Sequence, residues 1–204
     1  MIKANHKPFF VWFFKLYSKY MIKRHFHTVL WKSEVTRKNK PVLLIGNHFS
    51  WWDGFIANYI NHKIFQKKFH VMMLEEQLQN RMFLNKAGAY SIRKNSRSAI
   101  EALNYTRELL EHTENLVTVY PQGKFYSVYK FPFAFETGMD SILKNTGSEL
   151  QIVFYAALVD YFSHRKPVLT LGIKEYGGDS QIKNIEQAYN DFFEKLVYEQ
   201  DESE

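Results

Sequence analysis

Four apolar residues in a row, Val42-Leu43-Leu44-Ile45, stand between Pro41 and Gly46, and similar runs recur along the chain. Short aliphatic and β-branched runs bounded by Pro and Gly predict buried strands. Further strands are expected at 69–74, 88–92, 116–120, 151–157 and 168–173. Between them the apolar positions recur every three or four residues, the period of a helix with one buried face. That spacing predicts helices over 51–65, 75–86, about 96–113, 139–144 and 180–199. The second-last is short, and the last carries Ile185, Tyr189, Phe192 and Leu196 along one side. Strands alternating with helices predict an α/β fold, a mixed and largely parallel sheet flanked by helices. In such a fold the loops at the strand C-terminal ends converge on one cleft edge.

The 204 residues suit one domain, and without cysteine there is no disulfide framework and no zinc–thiolate site. The net charge is +6, unevenly spread: residues 1–40 hold ten Lys/Arg against one Glu, and residues 41–204 hold seventeen against twenty acids. The basic part also carries Phe9, Phe10, Trp12, Phe13, Phe14, Tyr17 and Tyr20, with Lys15, Lys19 and Lys23 every four residues. Pro8 suits the start of a helix there. No stretch has the ~18–20 apolar residues that span a bilayer, and no signal-peptide pattern is present. A basic helix with Trp and Phe opposite its lysines is expected to lie in the membrane interface. The chain therefore divides into a membrane-binding amphipathic segment, 1–40, and a body, 41–204. Attraction to anionic lipid places it peripherally on the cytoplasmic face. The alternative is a helix packed on its own domain. The acidic body and the lack of a nucleic-acid motif argue against nucleic acid as a partner.

The chemistry concentrates after the first strand of the body, where Asn47 and His48 are followed by Asp53. An offset of five is off-face on a helix and opposite on a strand, so the two side chains meet only across a turn. Ser50, three residues before Asp53, reads as the helix cap. Asp53 could then hold one imidazole nitrogen and leave the other to act as a general base. The plainer alternative is a capping carboxylate and a loop histidine. No G-x-S-x-G elbow supports a serine nucleophile, and two such residues do not make a metal site.

Asn-His-x-x-x-x-Asp after a buried strand resembles the first motif of the glycerolipid acyltransferases, the family of bacterial lysophosphatidic acid acyltransferases. That family's second motif, Gly followed five places on by Arg, is matched by Gly88 and Arg93. Its third, an aromatic and then Pro-Glu-Gly-Thr-Arg-Ser, is matched in part by Tyr120-Pro121-Gln122-Gly123-Lys124-Phe125, with Gln for the acid, Lys for Thr and Phe for Arg. A fourth, usually with Pro, falls on strand 151–157 without it.

The resemblance implies a membrane-associated O-acyltransferase that moves a fatty acyl group to a hydroxyl of a lysophospholipid-like lipid. The donor would be acyl-CoA or acyl carrier protein, a substrate, with no metal or bound cofactor. By the same resemblance His48 and Asp53 are catalytic, while Asn47, Gly88, Arg93, Pro121, Gln122, Gly123 and Lys124 bind substrate. Arg93 would hold the acceptor's phosphate or polar head, and amides near Gly123 would stabilise the oxyanion. The altered third motif leaves a second reading, a lipid-binding peripheral membrane protein that keeps the fold without the chemistry.

Overall fold

The computed structural model describes residues 1–93, 96–143 and 150–201. Lys94 and Asn95, between Arg93 and the helix expected from about 96, and Lys144, at the end of the helix expected over 139–144, lie outside them. Seven strands form one sheet: β1 (Val29–Glu34), β2 (Val42–Gly46), β3 (Lys68–Leu74), β4 (Ala89–Ile92), β5 (Asn115–Val119), β6 (Gln151–Asp160) and β7 (Val168–Glu175). Their spatial order is β1-β7-β6-β2-β5-β3-β4. Only the β6–β7 pair is antiparallel, so the sheet is mixed and largely parallel as expected.

β2 is central, and its unbroken apolar run has a simple cause. Leu43 and Ile45 face one layer, with Val117, Phe154 and Tyr189, while Val42 and Leu44 face the other, with Ile56, Ile60 and Leu171. A strand covered on both sides has no polar face to show. Each of these aliphatic side chains is completely buried, worth about 1.5–3 kcal/mol apiece. The first layer holds the helices α5 (Arg97–Leu109), α6 (Met139–Leu143) and α7 (Ile182–Asp201). The second holds α1 (Pro8–His25) and α2 (Asp53–Ile60), which runs on as a π-turn, Asn61–Phe65.

Two expectations on the elements change. The helix over 75–86 is broken into α3 (Glu75–Gln79) and α4 (Met82–Asn85), because the backbone at Arg81 (φ −141°, ψ 49°) is not helical. The strand β1 had been missed inside the basic leader. It is an edge strand whose burial is partial, so Lys32 and Glu34 interrupt its pattern. Lys32 pairs with Glu199 of α7 at 3.0 Å.

Helix α1 packs on the body through Phe14, Ser18, Met21 and Ile22, spaced four, three and one apart. Asn58 of α2 donates to the Phe14 carbonyl (3.2 Å) and to the Ser18 hydroxyl (3.0 Å), fixing the contact. Phe9, Trp12, Leu16 and Tyr20 remain exposed on the same helix as exposed Lys15 and Lys19. At the helical spacing Lys15 and Lys19 share one sector, between the buried stripe and the sector that carries Phe9, Trp12, Leu16 and Tyr20. Ahead of α1, residues 2–7 lie along the far edge of the sheet: the Ser91 amide donates to the Ile2 carbonyl (2.9 Å) and the Asn5 amide to that of Asn85 (3.2 Å). Among the described residues no helix is long and apolar enough to cross a membrane.

Candidate active site

The end of β2 is fixed by three residues in succession. A side chain at Gly46 would overlap the ring of Tyr155, so only glycine lets β6 carry that tyrosine at this place. Asn47 is buried, and both ends of its amide are engaged by one residue: Nδ2 donates to the Ala157 carbonyl and Oδ1 accepts from the Ala157 amide, each at 2.9 Å. It ties β2 to β6 and is not among the residues that line the cavity at His48. His48 then leaves the strand with its backbone held on both sides. Its amide donates to Gln122 Oε1 (2.6 Å), and its carbonyl accepts from the Tyr126 amide (2.8 Å).

The imidazole meets the carboxylate that the spacing anticipated. His48 Nδ1 and Asp53 Oδ2 are 2.7 Å apart, with the histidine side chain 24% exposed and the aspartate 1%. The same Oδ2 accepts from the amides of Phe49 (2.9 Å) and Ser50 (3.1 Å). Burial pushes the Asp53 carboxyl above its usual range, and the bonds from His48, Ser50 and Phe49 oppose that. Three donors on one oxygen suit an ionised acceptor, so the imidazole carries a proton on Nδ1, and in the neutral ring the lone pair is then on Nε2. Ser50 is not the helix cap that the sequence suggested. Its hydroxyl accepts from the Trp52 amide (2.9 Å) in a tight turn, and α2 begins at Asp53 itself.

Two aromatic rings lie against the imidazole. Tyr120 is stacked on it at 4.5 Å between centroids and 16° between planes; Phe125 lies at 4.1 Å and 33°. The Tyr155 hydroxyl donates to that of Tyr120 at 3.1 Å. Burial first, and then the Asp53 charge, push the Tyr120 hydroxyl well above its ordinary value, so it stays neutral.

His48 lines a cavity of about 1140 Å³. Its wall is mostly apolar, including Phe14, Phe55, Val71, Met72, Leu103 and Ile142. That is at the large end of small-molecule sites, which run to about 1,000 Å³. Ser50, Trp51, Tyr120, Pro121, Gly123, Lys124 and Phe125 also line it, with Arg81 and Arg97.

The other residues expected to bind substrate divide. Pro121, Gly123 and Lys124 are at the cavity, and Gly123 has the left-handed backbone (φ +63°) that the turn needs. Its amide donates to the Tyr120 carbonyl at 3.1 Å, so it closes the turn. Gln122 is buried and supports the His48 amide from behind, with its own Nε2 unpaired. Gly88 is absent from the cavity wall; at φ +115° it lets the chain pass the Phe69 carbonyl, which any Cβ would strike. Arg93 is likewise off the wall, because its guanidinium is held by the Glu75 carboxylate, which also accepts from Ser91 Oγ (3.0 Å). Arg97, four residues on and at the start of α5, takes the wall position that the sequence had suggested for Arg93. Arg81 had no motif to single it out. Among the described residues no group of three or more His, Asp or Glu is placed to hold a metal.

The family model described as Acyltransferase matches residues 27–158, more than half of the chain. No curated protein matches it in sequence. Among solved structures, the crystal structure of the 1-acyl-sn-glycerophosphate (LPA) acyltransferase PlsC from Thermotoga maritima is similar in fold. The TM-score is 0.63 at 14% identity, over 95% of this chain and 80% of that one.

Proposed function

The chain belongs to the acyltransferase family, and from that premise we propose that it transfers a fatty acyl group from a thioester to a hydroxyl of a lysophospholipid-like lipid, with His48 as general base. The observation that carries this reading is the His48–Asp53 contact of 2.7 Å on the wall of a large apolar cavity. His48 Nε2 takes the proton of the acceptor hydroxyl as its oxygen attacks the thioester carbonyl. Asp53 stabilises the imidazolium that forms. The tetrahedral intermediate expels the thiolate, and the imidazolium returns the proton to that sulfur. A thioester is already activated, so no acyl-enzyme is needed. The apolar wall takes the hydrocarbon, and Arg97, Arg81 and Lys124 supply charge for the acceptor's anionic group.

Association with a membrane surface belongs to the same reading. Aromatic contacts run without a break from exposed α1 to the cavity: Phe9 stacks on Phe13, Phe13 contacts Phe14, Phe14 stacks on Phe55, and Phe55 meets Trp51. Phe14, Phe55 and Trp51 line the cavity, so a lipid entering from the interface would meet apolar surface throughout. Exposed Lys15, Lys19 and Lys23 would each add about 1 kcal/mol beside anionic lipid, as on a cytoplasmic leaflet.

The test is thiol release from palmitoyl-CoA by detergent-solubilised protein, with a panel of lysolipids, repeated with acyl carrier protein as donor. Acceptor-dependent release should fall roughly 10²–10⁴-fold in His48→Ala. Release that persists in that variant would overturn the mechanism. Flotation with anionic liposomes tests the membrane part, and protein left at the bottom of the gradient counts against it.

A further inference from the structure

We propose that Phe125, together with Tyr120, forms an aromatic clamp on the imidazole of His48, and that Phe125 serves the reaction by stabilising the imidazolium. This rests on the general-base reading above. It gives a role to a residue that stands where the third motif of the resemblance would carry Arg.

The two rings lie 4.1 Å and 4.5 Å from the imidazole centroid, at 33° and 16° to its plane. One stacked and one tilted ring, both with centroids within 4.5 Å of the imidazole centroid, would overlap each other on a single face, so they cover opposite faces. The face of an aromatic ring carries negative potential and attracts a cation placed over it. The neutral imidazole gains stacking from both rings. On protonation it gains more, because its charge then lies between two such faces. Asp53 acts in the ring plane through Nδ1, and the clamp acts perpendicular to it. The two stabilise the same charge from different directions.

The clamp also sets orientation. The His48 backbone is fixed by Gln122 and Tyr126, and Asp53 fixes Nδ1. A ring on each face removes the remaining freedom of the imidazole about its bond to Cβ, so Nε2 keeps one direction. Tyr120 is anchored from behind by Tyr155. Phe125 is half exposed, so its contact with His48 is the clamp's adjustable side. An Arg at this position would place a second positive charge beside the forming imidazolium and oppose it. Phe reverses that effect and gives up a charge–phosphate contact. Phe125 is therefore a positioning residue, and the acceptor's charge is left to other groups.

The experiment is the pH dependence of kcat and kcat/KM for wild type and for Phe125→Leu, Phe125→Ala and Phe125→Tyr, in the acyl-transfer assay, with His48→Ala alongside. The titratable and charged groups about the imidazole are Asp53, in contact at 2.7 Å, Tyr120, whose ring stacks on it, Tyr155 behind Tyr120, and Lys124 and Glu136 on the wall of the same cavity. All are unchanged across the series, so a shift between variants reports on His48. Leu fills much of the space of Phe without the π face. It should lower kcat roughly five- to thirtyfold and move the acidic limb of kcat/KM to lower pH, with little change in KM for the lysolipid. Ala should do the same, and Tyr should restore both limb and rate. Phe125→Leu with the wild-type limb and rate would overturn the clamp. So would a raised acceptor KM at unchanged kcat, which would place Phe125 at the acceptor. If His48→Ala keeps its activity, the general-base reading fails with it; if His48→Ala is inactive while Phe125→Leu is normal, only the clamp fails.

Discussion

Asp53→Asn isolates the charge of the pair from its geometry. Three donors converge on one oxygen of Asp53: His48 Nδ1, the Phe49 amide and the Ser50 amide. The other oxygen is buried without a partner. A carboxamide has one oxygen and one NH₂, and an NH₂ turned toward two backbone N–H groups would be repelled. The asparagine oxygen therefore takes the place of Oδ2, and Nδ1–H keeps an acceptor. Nε2 keeps its lone pair, so the correct tautomer survives. What disappears is the carboxylate's charge 2.7 Å from the imidazolium. A hydrogen bond to a charged group is worth about 1.5–3 kcal/mol against about 0.5–1.5 for a neutral one. With the lost attraction to the imidazolium, about 2–4 kcal/mol of transition-state stabilisation should go, roughly 30- to 1,000-fold in kcat. Stability should change little, because two effects oppose: burial disfavours the charge of Asp53, and the asparagine NH₂ would lie where Oδ1 is buried without a partner. The assay is kcat for thiol release at saturating lysolipid, beside a thermal melt of the same preparation. A normal rate would refute the role of the charge. A loss well beyond about 1,000-fold, at unchanged Tm, would refute the oxygen-selection argument.

The placement of the arginines predicts that Arg97→Ala raises KM for an anionic lysolipid about tenfold or more, while Arg93→Ala changes it much less; the reverse order in parallel Michaelis curves would restore Arg93 as the head-group residue. His70 predicts acid sensitivity. It is buried, its Nδ1 has no partner, and burial holds its pKa down at about 3 against an ordinary 6.5. Between those values the unfolded chain binds a proton that the fold refuses, so stability should fall as pH drops below 6.5, by about 2–3 kcal/mol at pH 4.5. Urea unfolding at pH 7 and 4.5 should show a smaller loss in His70→Gln, and an equal loss would exclude His70 as the cause.

The parts legible in the sequence were those whose cause is local. β2 and β6 could be read because strands buried on both faces are continuous apolar runs. The His48–Asp53 contact could be read because an offset of five across a strand end permits only a turn. β1 could not, since this edge strand shows four of its six residues to solvent and keeps charges in its pattern. The roles of Asn47 and Gln122 were hidden for another reason. A side chain that binds backbone 110 or 74 residues away has the same composition as one that binds substrate. The second motif pointed to Arg93 and not to Arg97, and only the fold sets Glu75, 18 residues before Arg93, beside it. The clamp depends on how the 120–126 loop closes over the end of β2, and no periodicity records that.

Gly46 carries a consequence for how sequences of this kind can diverge. The space that its missing side chain leaves is filled by the Tyr155 ring, whose hydroxyl supports Tyr120. The two positions are thus not free to drift separately. A chain that acquires any side chain at 46 must give up the large ring at 155, and the contact behind Tyr120 goes with it. Glycine at one place and tyrosine at the other should be inherited, or lost, as a pair.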